Sequence, residues 1–66
     1  MSNYLFSMRN IPGGWYFIVN YGMTQARRYK IYNSKDCYYA VVASNGRLVG
    51  IVSNLVNAQY IAIMDK

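Results

Sequence analysis

Histidine and glutamate are absent from this 66-residue chain, cysteine and proline occur once each, and the acids are limited to Asp36 and Asp65. Each shortage excludes a class of solution. A lone Cys37 rules out a disulfide within the chain. Tetrahedral zinc takes four ligands, mostly nitrogen or sulfur, and Cys37 with two aspartates cannot supply them. Neither a metal nor a cofactor is therefore expected. General acid–base catalysis draws on His, Glu, Asp or Lys with a tuned pKa. Only two aspartates and three lysines are at hand, and Asp65 and Lys66 read as a frayed C-terminus, so no enzyme is expected.

Long apolar runs are missing too. The longest, Cys37 to Ala43, is far short of the roughly 18 residues that a membrane span needs. Asn3, Ser7, Arg9 and Asn10 interrupt the opening apolar residues, so no signal peptide is read there. A single unpaired cysteine fits a reducing compartment, and a cytoplasmic location is expected. Without a His nearby, Cys37 makes a poor nucleophile, and a buried or half-buried structural thiol is expected. Gly13-Gly14 lacks the spaced glycines and the Lys-Ser/Thr of a phosphate loop.

What is present is apolar, aromatic and basic. The hydrophobic fraction is 55%, which argues against disorder. The length allows one domain, residues 1–66. A chain this short buries only about 60% of its unfolded surface. Good packing or self-association must supply the rest of its stability. Seven basic residues against two acids leave a net charge of +5. Such a basic balance is the footprint of nucleic-acid binders, although it also serves plain solubility.

Period-two patterning rich in β-branched and aromatic residues dominates the chain. Residues 3–9, 15–21 and 26–32 read as three strands. Ile11-Pro12-Gly13-Gly14 suits a type II turn, with proline setting φ at the second position and glycine accepting positive φ at the third. Gly22–Thr24 and Asn33–Asp36 read as loops. Asn45-Gly46 lies between two apolar runs, 38–44 and 47–53, and predicts a two-residue type I′ hairpin. That turn would place Ala43 opposite Leu48, Val42 opposite Val49 and Val41 opposite Gly50. Tyr39, Val41, Ala43, Leu48, Gly50 and Val52 would share one face. Tyr38, Ala40, Val42, Val49 and Ile51 would share the other. Both faces are apolar, so each must be covered or must seek a partner. Residues 54–66 fit either a strand or a helix capped by Asn54 and running through Leu55, Ala58, Ile61 and Ala62.

The fold expected is all-β, a small antiparallel sheet or half-closed barrel of five to six short strands. The alternative is α+β, an antiparallel sheet with one C-terminal helix.

Eight tyrosines among 66 residues stand out. Tyrosine is an ordinary half-buried strand residue, but sheets that bind single-stranded nucleic acid also combine stacking aromatics with a basic groove. Arg27-Arg28-Tyr29-Lys30-Ile31-Tyr32 interleaves the two types. On a strand, Arg28, Lys30 and Tyr32 face one way and Arg27, Tyr29 and Ile31 the other. The expected binding residues are Arg27, Arg28, Tyr29, Lys30 and Tyr32, with Tyr16 from a neighbouring strand. Tyrosine and arginine are also enriched at protein-interface hot spots. The expected partner is therefore single-stranded nucleic acid or an acidic protein surface. In the second case the chain is an inhibitor or adaptor of the size class carried by viruses and mobile elements. A homo-oligomer is also expected, up to a self-assembling structural subunit, because the hairpin has two apolar faces. Lys35 and Arg47 are read as solvating the hairpin ends, and Trp15 as a core anchor.

Overall fold

The computed structural model describes residues 5–22, 24–35 and 37–65. Five strands follow one another: β1 (Phe6–Ile11), β2 (Gly14–Val19), β3 (Arg27–Asn33), β4 (Tyr39–Ala43) and β5 (Leu48–Val52). One helix, α1 (Leu55–Met64), follows them among the described residues. Every strand pairs antiparallel with its sequence neighbour, giving the sheet order β1-β2-β3-β4-β5. The sheet is open, not barrel-like, and the tail is the helix of the α+β alternative. The expected first strand began at Asn3, but Asn3 and Tyr4 lie outside the described residues, as do Met23 and Asp36 of the expected loops.

The first hairpin follows from its turn residues. Ile11 pairs with Gly14, so Pro12 and Gly13 are the whole loop. Proline fixes φ near −65° at the first loop position, which excludes the mirror-image turns that need positive φ there. Gly13 then takes φ +85°, as a type II turn requires. Gly14 is needed for a second reason. A Cβ at this position would run into the carbonyl oxygen of Ile31 on β3.

The Asn45-Gly46 hairpin departs from the expected geometry. Gly46 alone in this turn has positive φ, +88°. Its N–H donates to the Ala43 carbonyl at 2.9 Å, and the Ala43 N–H donates to the Arg47 carbonyl at 2.8 Å. The loop is therefore three residues, a type I turn closed by glycine, and not a type I′ turn. The Asn45 side chain accounts for the difference, because its Oδ1 accepts the Arg47 N–H at 3.0 Å. The longer loop sets Val42 opposite Leu48. A bulge at Val49 then restores the expected pairing of Val41 with Gly50. Leu48 and Val49 thus exchange faces relative to the expectation. Cys37 is exposed, with φ 65°, and not the buried thiol expected.

One face of the sheet is dry. Phe17 and Val19 from β2, Tyr29 and Ile31 from β3 and Val41 from β4 meet Ala58 and Ala62 of α1. Trp15 and Tyr39 flank them with ring centroids 5.9 Å apart, so Trp15 is the anchor expected. The helix begins where Asn54, in extended conformation, accepts the Asn57 N–H at 2.8 Å. It ends at Asp65, whose N–H bonds back to the Ile61 and Ala62 carbonyls.

Asp65 is anchored, not frayed. Its Oδ2 accepts the Tyr29 hydroxyl at 2.7 Å and Arg47 Nη2 at 2.8 Å. Arg27 supports the arrangement from β3, donating to Tyr29 Oη at 3.1 Å and to the Ile63 carbonyl at 2.8 Å. Arg47 therefore does more than solvate the hairpin end. A carboxylate at a helix C-terminus opposes the helix dipole, and these donors compensate it. The Arg47 bond, then the Tyr29 bond, hold the Asp65 carboxyl below its usual range. Burial, then the bond to Asp65, push the Tyr29 hydroxyl up.

The Gly46 turn and the contacts at the helix end give three testable expectations. Gly46→Val should destabilise the fold by at least about 1–2 kcal/mol in chemical denaturation, because a β-branched residue resists positive φ, while Gly46→Asn should cost much less. The depressed Asp65 carboxyl contributes stability that is present above the ordinary carboxylate pKa and is lost as pH falls through its lower folded value. Thermal melts should therefore drop in acid, and Asp65→Asn should flatten that dependence. The raised Tyr29 hydroxyl has the opposite window, with stability present below pH 10 and lost as pH rises above it.

Candidate functional site

Among the described residues, no helix lies over the second face of the sheet. Antiparallel partners share a face, so the register lists what this face presents. One row across the strands reads Arg9, Tyr16, Lys30, Val42, Leu48. The next reads Ile11, Gly14, Tyr32, Ala40, Ile51, and a shorter third reads Ser7, Ile18, Arg28. Arg28, Lys30 and Tyr32 thus form a column along the central strand. Tyr16 stands beside Lys30, with Arg9 on its other side.

The face is divided by chemistry. Toward β1 it carries three cations and two tyrosines. Toward β5 it carries Ala40, Val42, Leu48 and Ile51, with Leu48 55% and Ile51 60% exposed. No acid lies on this face among the described residues, and no ion pair there engages Arg9, Arg28 or Lys30. A shallow concavity of about 330 Å³ runs between the two halves, lined by Tyr16, Arg28, Tyr29, Lys30, Tyr32 and Val42 and bordered by the turn at Ser44 and Gly46. Gly14, opposite Tyr32, has no side chain to fill the row. The Tyr32 ring leans over the neighbouring turn, its Cδ1 3.9 Å from where a Gly13 Cβ would lie. The ring stands partly free, 39% exposed.

The structure brings Tyr16, Arg28, Lys30 and Tyr32 together on this face. It separates Arg27 and Tyr29 from them. Tyr29 is 2% exposed in the core beneath α1. Arg27 lies on the same covered side, spent on Tyr29 and Ile63. The alternation of a strand requires this split, since neighbouring residues point to opposite faces. Arg9 was not among the expected site residues. Counting back from the Pro12-Gly13 turn gives Ile11 with Gly14, Asn10 with Trp15 and Arg9 with Tyr16, so the signal lay in the turn.

The arrangement suits an extended anionic polymer with flat groups. Cations of one column can each meet a phosphate, and tyrosine rings beside them offer stacking platforms. Comparison with known protein families, curated proteins and solved structures finds no match for this chain.

The two sides of β3 should separate in a stability measurement. Lys30→Ala and Tyr32→Ala should change unfolding free energy by no more than about 0.5 kcal/mol, as exposed substitutions do. Tyr29→Phe should cost about 1–2 kcal/mol, because Asp65 and Arg27 lose the hydroxyl they both bond.

Proposed function

We propose that this protein binds single-stranded nucleic acid on the uncovered sheet face and performs no chemistry on it. Arg28, Lys30 and Arg9 contact phosphates, and Tyr16 and Tyr32 stack on bases. The observation that carries this reading is the row in which Tyr16 stands between Arg9 and Lys30, next to Tyr32, on the one face that the helix leaves open. Cations without carboxylate partners keep their full charge available to phosphate. Three of them imply a salt slope near 2, at about 0.7 per phosphate for single strands. Stacking adds roughly 1–3 kcal/mol per base and is insensitive to salt.

A second reading has its own observation. The β4–β5 half of the face is aliphatic, with Leu48 and Ile51 exposed, and apolar surface rimmed by cations also suits an acidic protein. The chain would then act as an inhibitor or adaptor, with the same tyrosines and arginines as hot spots.

Oligonucleotide titrations at several salt concentrations decide between them. Lys30→Ala should lower the salt slope by about 0.7. Tyr32→Ala should weaken binding by roughly 1–3 kcal/mol and leave the slope unchanged. Single strands that bind no better than heparin, with Tyr32→Ala silent, would sink the nucleic-acid reading and leave the acidic protein partner.

A further inference from the structure

On the open face, β4 presents short side chains between longer ones. Ala40 stands directly opposite Tyr32, and Val42 directly opposite Lys30. On the other side Ala40 pairs with Ile51 and Val42 with Leu48. β4 therefore lays a low floor of Ala40 and Val42 between two higher walls. The inner wall is Tyr32 with Lys30, and the outer wall is Leu48 with Ile51. The Tyr32 ring leans toward the Pro12-Gly13 turn, on the side away from Ala40. Val42 lines the concavity that Tyr16, Arg28, Lys30 and Tyr32 also line, so the floor is continuous with the cationic half of the face.

The hydrogen-bonding chemistry of this trough is one-sided. Ala40, Val42, Leu48 and Ile51 have no polar side-chain atom. The inner wall is bordered by Lys30 and Arg28, which donate hydrogen bonds and accept none, and by tyrosine hydroxyls, which do both. No side-chain carboxylate or amide lines the concavity among the described residues. The backbone groups of β4 beneath it are committed to β3 and β5. A carbonyl oxygen brought to the inner wall meets donors, and a methyl group brought to the floor meets aliphatic carbon. An exocyclic amine on the floor meets no acceptor, so burying it there forfeits its bonds to water.

We propose that the base seated in this trough is thymine, so that the strand this face binds is single-stranded DNA. The inference rests on the nucleic-acid reading above and adds the base. Charge complementarity selects the occupant. Arg9, Arg28 and Lys30 make no ion pair among the described residues, and they hold the phosphates of the same strand whose base enters the trough. Thymine alone among the four DNA bases carries a methyl group, at C5, next to the O4 acceptor. With its ring against Tyr32, it rests the methyl on Val42 and Ala40 and turns its carbonyl oxygens to the donors of the inner wall. Adenine and cytosine bring an amine to that same edge, and guanine brings no methyl and an amine on its other edge. The short β4 side chains thus act as specificity determinants, while the cations and the tyrosine rings supply sequence-independent affinity.

Titration of the full chain with deoxy-homopolymers of thymine, uracil and cytosine, equal in length and at one salt concentration, tests this. The thymine and uracil strands share sugar and charge and differ by the methyl group alone. The wild-type chain should bind the thymine strand about fourfold more tightly than the uracil strand, the worth of one buried CH₂ group. The cytosine strand should bind more weakly than both. Val42→Thr keeps the shape and strand preference of valine and puts a hydroxyl on the floor. Once circular dichroism confirms that this variant is folded, its thymine-to-uracil ratio should fall below about twofold, with the salt slope unchanged. A wild-type ratio below about twofold would overturn the proposal. So would a cytosine strand that binds as tightly as thymine, or a ratio that survives Val42→Thr. In those cases, binding that still depends on Tyr32 leaves the nucleic-acid reading standing. Three strands that bind no better than heparin, with Tyr32→Ala silent, overturn both and leave the acidic protein partner.

Discussion

The contact of Ala58 and Ala62 with Phe17, Ile31 and Val41 is the constraint from which the other features follow. All five are fully buried. Alanine at both inward positions has the highest helix propensity and lets the helix lie close on the sheet. Neither element stands without the other. An isolated helix of this length is marginal in water, and a single sheet needs an apolar face covered. Full burial of each large side chain beneath the helix contributes about 1.5–3 kcal/mol, and a domain of this size has few other sources. The described residues supply one helix for two sheet faces. Covering one face leaves the other open, so the uncovered face arises from the same allocation that makes the core.

The ends of the helix show how that contact is kept. Asn54 caps its start, and Asp65 ties its end to β3 through Tyr29 and to the β4–β5 hairpin through Arg47. These ties reach strands from both sides of the core. They also occupy Arg27, Arg47 and Tyr29 on the covered side. The charge left to solvent on the sheet is thereby concentrated on the open side, where Arg9, Arg28 and Lys30 make no ion pair among the described residues.

Much of this was legible in the sequence, and the failures have physical causes. Period-two patterning located all five strands, and Pro12-Gly13 fixed the first hairpin outright, because proline leaves few turn types available. Asn45-Gly46 marked the second hairpin but not its type. The Asn45 side chain can bond its own backbone two residues on, and that local bond favours the three-residue loop. One added loop residue then exchanged Leu48 and Val49 between faces. The helix was legible only as an alternative, since Tyr60, Ala62 and Met64 satisfy period two as well as a helix. The site was half legible. Strand alternation separates Arg28, Lys30 and Tyr32 from Arg27 and Tyr29 without any structure. Asp65 was not legible, because a terminal carboxylate shows no sign of its partners until the helix brings it over Tyr29.

Charge also orders the two halves of the chain. Six of its seven cations lie between Arg9 and Arg47, and residues 48–64 carry none. The first half supplies the cationic column of the open face and the latch that holds Asp65. The second half supplies the last strand and the helix that makes the fold possible. Cations in β3 alternate between the latch, where Arg27 bonds Tyr29 and Ile63, and the open face, where Arg28 and Lys30 stand. The segregation is thus compatible with both demands on a very short chain. A core helix is kept free of like-charge repulsion, and the cations of β1 and β3 stand on the sheet face opposite the helix.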